Sequence, residues 1–199
     1  MKKLLICFPL LVLMACGGNK DEQAQNPETS NEATAPLAKS QNSDAFNTSF
    51  ETMLSDYYNL KDGMVKSTSS VASSVDSAAS KLITSADSLK LTELKADEAI
   101  VSTAQSYAQG ISAEAKALVG EKNLEAKRKA FQMISDQMYD LVRTVRYDRQ
   151  VVYHQYCPMA FNDQGAYWLS NNSEIMNPYF GNKMLHCGEV RDSLDFRAK

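Results

Sequence analysis

The stretch AFNTSFETMLSDYYNLKDGM, residues 45–64, decides the fold. Phe46, Phe50, Met53, Leu54, Tyr57, Leu60 and Met64 recur at three- and four-residue steps, which is one face of a helix. Three further sets repeat the pattern. Val71, Val75, Ala78, Ala79, Leu82, Ile83, Ala86 and Leu89 do so in a Ser/Ala-rich segment, where small side chains let helices approach closely. Ile100, Ala104, Tyr107, Ala108, Ile111, Ala115 and Leu118 form the third set. Leu124, Lys127 (through its stem only), Phe131, Ile134, Met138, Leu141, Val142 and Val145 form the fourth. The interruptions Lys66-Ser67-Thr68, Leu91-Thr92-Glu93 and Gly120-Glu121-Lys122-Asn123 carry turn and cap chemistry. Four amphipathic helices with short connections predict a mostly α protein built as an antiparallel four-helix bundle. About 155 residues suffice to enclose a core without metal or disulfide support.

Upstream, the chain has a different character. Met1-Lys2-Lys3 is cationic, Leu4 to Met14 is apolar, and Leu13-Met14-Ala15-Cys16 follows. The apolar run is well short of the roughly 20 residues a membrane span needs and fits a signal-peptide core. Leu13-Met14-Ala15-Cys16 resembles the lipobox of bacterial lipoproteins. The resemblance implies a signal peptide over 1–15, cleavage before Cys16, diacylglycerol on the Cys16 sulfur and an acyl chain such as palmitate on its amine. At about 0.8 kcal/mol per buried methylene, several chains hold the protein durably in a lipid bilayer. The alternative is an ordinary secretory signal with an incidental cysteine. Gly17 after Cys16 resembles the pattern sorted to the outer membrane. Lys20-Asp21-Glu22 reads either as a surface-export signal or as a solvated charge cluster. The expected location is thus lipid-anchored at the outer membrane, on its periplasmic face or at the cell surface.

Residues 16–43 hold the expected lipidated Cys16 and a tether rich in Asn, Gln, Glu, Ser, Thr, Ala and Pro, with no aromatic residue. Such a composition cannot bury enough apolar surface to fold and predicts disorder. Some 26 flexible residues have an r.m.s. span of roughly 28 Å and a contour limit of about 90 Å. Loss of the signal would remove Lys2 and Lys3 and move the formal charge from −3 to −5. An acidic chain without a basic stripe argues against nucleic acid as a partner.

Residues 44–199 form the expected folded domain, whose last part, about 147–195, is unlike the helices. Val151-Val152-Tyr153-His154-Gln155-Tyr156 is β-branched and aromatic, and Cys157-Pro158 stops any helix. Loops and a short strand pair packed on one end of the bundle are expected here. Both histidines, the single Trp168, and Cys157 and Cys187 lie in this region.

With Cys7 in the signal and Cys16 acylated, three readings of Cys157 and Cys187 compete. A disulfide is the default for two cysteines outside the cytosol. A soft-metal site is the second: Met159 lies two residues from Cys157 and, on extended backbone, faces the same way. Met184 lies three from Cys187, on the same side of a helical turn. Two thiolates with thioethers select Cu(I) or Ag(I). His186 and His154 are weaker candidates; on an extended strand His154 faces away from Cys157 and reads better as a core or solvated histidine. The third reading, nucleophilic catalysis by Cys157 with a histidine, lacks any Cys-x-x-Cys, oxyanion or phosphate-loop signature, so no enzyme is expected and no catalytic residue is assigned.

Three runs carry a family resemblance: Val152 to Ala160, Gly165 to Ser170, and Asn177 to Gly188. They are similar to a bacterial domain-of-unknown-function family with the pattern Tyr-x-x-x-Cys-Pro-Met-Ala, Trp-Leu-Ser, Asn-Pro-Tyr-Phe-Gly and Met-Leu-x-Cys-Gly. The resemblance extends over roughly 46–195. It implies a helical domain that occurs alone in secreted proteins and lipoproteins, or fused to periplasmic adaptors of copper/silver efflux pumps. Cys157, Met159, Met184 and Cys187 match its motif positions, whereas His154 and His186 fall at variable ones. Asn177, Pro178, Tyr179 and Gly181 are expected to shape a turn. The expected function is a membrane-anchored protein that binds Cu(I) or Ag(I) through Cys157, Met159, Met184 and Cys187. It would buffer the ion or hand it to a heavy-metal efflux adaptor or pump. The alternative is a structural or protein-interaction lipoprotein with a Cys157–Cys187 disulfide.

Overall fold

The computed structural model describes residues 42–67 and 72–197. The expected signal peptide, Cys16 with its expected lipid, Lys20-Asp21-Glu22 and the expected tether up to residue 41 lie outside the described residues. So does Val71.

Four long helices follow the four apolar stripes: α1 (Asp44–Lys66), α2 (Ala72–Asp87), α3 (Glu98–Gly120) and α4 (Leu124–Val145). Cap residues start three of them, since the first turn of any helix leaves N–H groups without partners. Ser43 accepts from the Phe46 N–H at 3.1 Å, Asp97 from Ile100 at 2.9 Å and Asn123 from Ala126 at 2.8 Å. Asn42 also donates to the Val145 carbonyl at 2.8 Å, so the last two residues of the expected tether are tied to the bundle. Leu91–Glu93 forms one turn of 3-10 helix between α2 and α3, and α4 ends where Arg146 turns into the left-handed region at φ 50°.

Each helix packs on the next in sequence. The α2–α3 seam uses small residues, with Ala79, Ala104 and Ala115 fully buried. Large rings join α1 to α4 and to the residues just after it: Tyr57 stacks on Phe131 with centroids 5.5 Å apart, and Phe50 meets Tyr147, two residues past the end of α4, at 4.9 Å. Lys127 departs from expectation. Its head is buried with its stem, because Nζ meets Asp76 Oδ1 at 2.6 Å and donates to the Leu118 carbonyl at 2.8 Å. A buried ammonium survives only when paired and hydrogen-bonded in this way.

The C-terminal region is a three-stranded antiparallel sheet, one strand more than the expected pair. Its order is β2-β1-β3, with β1 at Val152–Cys157, β2 at Ala166–Ser170 and β3 at Glu189–Leu194. Strand β2 pairs Ala166 with Cys157 and Ser170 with Tyr153, and packs on α4. Strand β3 pairs His154 with Asp192, then slips register between His154 and Gln155. Among the described residues, no helix is long and apolar enough to cross a membrane.

Candidate functional site

Cys157 is the last residue of β1 and is fully buried. Cys187 lies thirty residues on, half-buried in the loop that leads into β3. The two sulfurs meet at 3.1 Å, and both are free thiols. Of everything the sequence singled out, this pair is what the fold brings together most closely.

The loop holding Cys187 is organised by Asn177, which is fully buried. Its side-chain oxygen accepts from the Tyr179 and Phe180 N–H groups at 2.8 and 3.2 Å. Its amide nitrogen donates to the Cys187 carbonyl at 2.8 Å. Its backbone N–H donates to the Leu185 carbonyl, and its own carbonyl accepts from Gly181. Arg128 Nε anchors the same loop from α4 through the Pro178 carbonyl at 3.2 Å. Asn177 and its neighbours do shape a turn, and that turn positions a thiol.

Gly188 fixes the approach of Cys187. It sits at φ 143°, and a Cβ there would lie 2.7 Å from the Tyr156 carbonyl oxygen and 2.9 Å from Trp168 Cη2. Only glycine lets the backbone pass so close to both. Trp168, fully buried, lies against Gly188, the residue next to Cys187.

The thioethers are placed differently. Strand β1 stops at Cys157, and Met159 has helical backbone angles (φ −87°, ψ −6°), so the extended alternation expected from Cys157 to Met159 does not continue. Met159 is 45% exposed and lines a surface groove with Met133 of α4. Met184 is half-buried, and its carbonyl accepts the Cys187 N–H at 3.1 Å, which closes the expected turn between them.

Neither histidine approaches as a free ligand. His154 is sandwiched between Tyr139 and Tyr167, with centroids 3.8 and 4.5 Å away, and Tyr167 meets Tyr156 at a tilt with centroids 4.4 Å apart. Burial depresses its pKa to about 4, with Asp192 opposing and Arg143 reinforcing the shift. His186 is exposed, with Nδ1 3.0 Å from the Ile175 carbonyl.

The Cys187 thiol is pushed up to about 11, first by burial and then by the hydrogen bond and charge of Cys157. Among the described residues, no group of three or more His, Cys, Asp or Glu gathers around a common point. The chemistry open to the site is therefore that of a dithiol with neighbouring thioethers: oxidation to a disulfide, or capture of a soft ion with loss of protons.

A helical bundle capped by a small sheet that clasps two thiols is the class of protein the fold and site define. Residues 53–150 match the family described as "Protein of unknown function (DUF3347)". The match runs from α1 to the residue before Val151, so it covers the helices and stops short of the sheet, the thiols and the Asn177 loop. No curated protein and no solved structure gives a match.

Proposed function

We propose that this chain is a non-enzymatic, membrane-tethered protein that holds Cu(I) or Ag(I) outside the cytosol. Cys157 and Cys187 are the thiolate donors and Met159 and Met184 the thioether donors; the protein buffers the ion or passes it to an efflux partner. The observation that carries this reading is the convergence of two free thiols from separate elements at 3.1 Å. The donor set fits: thiolate and thioether sulfur is what selects soft monovalent ions. Two sulfurs bound to one ion through bonds of about 2.3 Å lie about 3.8 Å apart at a tetrahedral angle and about 4.6 Å apart in line. A small opening of the Cys187 loop admits an ion. The raised Cys187 pKa argues against an activated nucleophile, whose thiolate needs a depressed value.

A competing chelator tests it. The reduced chain should hold Cu(I) more tightly than the Cys157→Ser/Cys187→Ser variant, and than Cys187→Ser alone, which alters only the half-buried sulfur. Equal affinity in all three sinks the proposal.

The same short separation favours a second reading. Closing the gap to about 2.05 Å gives a disulfide, and a thirty-residue loop so joined would gain about 3.6 kcal/mol on the chain-entropy estimate. The mass of freshly isolated chain, alkylated with and without prior reduction, separates the two. With the chain unfolded in denaturant for the alkylation, complete protection without reductant favours the permanent bond, and modification of both cysteines favours the metal site.

A further inference from the structure

Methionines in this fold divide sharply. Met53, Met64 and Met138 are fully buried core residues, and Met176 and Met184 are half-buried. Met133 and Met159 are instead 48% and 45% exposed, the two most exposed large apolar side chains among the described residues. They come from different elements, α4 and the turn after β1, yet both line one groove of about 840 Å³. Leaving two large thioethers in water forfeits the burial energy their neighbours gain. What it provides is a pair of accessible, polarizable sulfurs.

The rest of the groove suits a poorly hydrated ion. Phe161 and Phe180 supply apolar walls, Gln132 and Asn162 supply amide groups, and Glu125, Asp163 and Lys129 add charged groups of both signs. The rim is also held in a costly shape. Phe161, Asn162 and Asp163 have φ of 53°, 58° and 64°, three successive left-handed residues. Each costs about 1–2 kcal/mol for a residue with a side chain, and such strain persists where the surroundings over-determine it. The turn closes through the Gly165 N–H on the Ala160 carbonyl at 2.9 Å, and Phe161 packs edge-on against Tyr179 at 5.3 Å. The segment that follows Met159 is thus fixed.

The geometry points to a second soft-ion site in this groove, in which the Met133 and Met159 thioethers bind Ag(I) or Cu(I), Met159 serving the groove before it serves the thiols. Two dative S→metal bonds form; no proton leaves and no electron moves, in contrast to the thiol pair, which must deprotonate. Because Met159 is two residues from Cys157, the groove lies in sequence beside the buried thiols and serves as their port of entry. The port role rests on the thiol-pair reading of the previous subsection. The groove site does not.

Methionine methyl NMR with silver nitrate in chloride-free buffer tests the site on the full chain. In the Cys157→Ser/Cys187→Ser variant the Met133 and Met159 methyl signals should move together with one midpoint, while those of buried Met53, Met64 and Met138 stay. In that same thiol-free background, adding Met133→Leu, a surface change that leaves the core untouched, should weaken the Met159 response to silver at least tenfold. Three outcomes overturn the proposal: neither signal moves in the thiol-free variant, Met159 responds unchanged in Met133→Leu, or calcium moves both signals as silver does. Failure of the thiol-pair reading would show separately, as equal Cu(I) affinity with and without the cysteines.

Discussion

Tyr57, in the middle of α1, accepts the backbone N–H of Leu169 on edge strand β2 at 3.0 Å. Its hydroxyl in turn lies 2.8 Å from Ser135 Oγ, which donates to the Phe131 carbonyl at 2.9 Å. Helix α1, helix α4 and the sheet are linked by this one buried chain of hydrogen bonds. All its members are shielded from water, so none can be replaced by solvent.

Tyr57→Phe removes the hydroxyl and keeps the ring stacked on Phe131. It strands the Leu169 N–H in an apolar interior and takes away the Tyr57 partner of the Ser135 hydroxyl, which keeps only the Phe131 carbonyl. The expected loss is about 1–3 kcal/mol, read from the midpoint of urea unfolding. A change under a few tenths would mean that the chain contributes nothing to holding the sheet.

Cys187 should alkylate slowly. With a pKa near 11, its thiolate fraction at pH 8 is hundreds of times below that of a free cysteine. Higher intrinsic nucleophilicity offsets part of this. Iodoacetamide at pH 8 should therefore react about tenfold or more slowly than with a model thiol, and the rate should still be climbing at pH 10.

Gly188→Ala is expected to part the thiols. The new methyl meets the Tyr156 carbonyl oxygen and the Trp168 ring, so the Cys187 loop must lift away from β1. Stability should fall by about 1–3 kcal/mol. The thiol–disulfide equilibrium in a glutathione buffer should shift toward the dithiol by more than tenfold.

Acid should act on His154 and Asp136 in opposite directions. The folded His154 pKa of about 4 lies below its unfolded value near 6.5, because burial opposes the charge. The unfolded chain then binds more protons, so stability is full above about pH 6.5 and declines toward pH 4. Allowing for partial exposure, this amounts to about 1–2 kcal/mol. Asp136 is raised to about 6, by burial first and Asp140 second. Its cost is present above pH 6 and is relieved as pH falls toward 4. Asp136→Asn should therefore raise stability at pH 7 and make the acid decline steeper, while His154→Phe should flatten it. Urea midpoints at several pH values check both signs.

The helices were legible because each carries an uninterrupted apolar stripe and its own punctuation. Asn123, in the expected break, caps α4, and Leu91-Thr92-Glu93 is a turn of its own. Strand β3 was not legible. Glu189–Leu194 is exposed except at Leu194 and carries only one other apolar residue, Val190, so no alternation marks it; its pairing with β1 is a tertiary fact. At the site, the closeness of Cys157 and Cys187 was only one of several possibilities in sequence. The spacing of Met159 from Cys157 implies a shared face only on extended backbone, and the strand ends at Cys157. Asn177 was read as a turn former, yet nothing in its neighbours revealed that its amide would hold Cys187. The partnership of Met133 with Met159 joins residues 26 positions apart on different elements, which no local pattern announces.

Trp168 lies against Gly188, one residue from Cys187, and the chain has only one tryptophan. Its indole emission therefore reports on the thiol pocket without a competing fluorophore of its kind. Closing a disulfide or seating a heavy ion there should quench that light directly. The protein thus carries its own optical gauge, readable on unlabelled material, for whichever of the two chemistries its sulfurs perform.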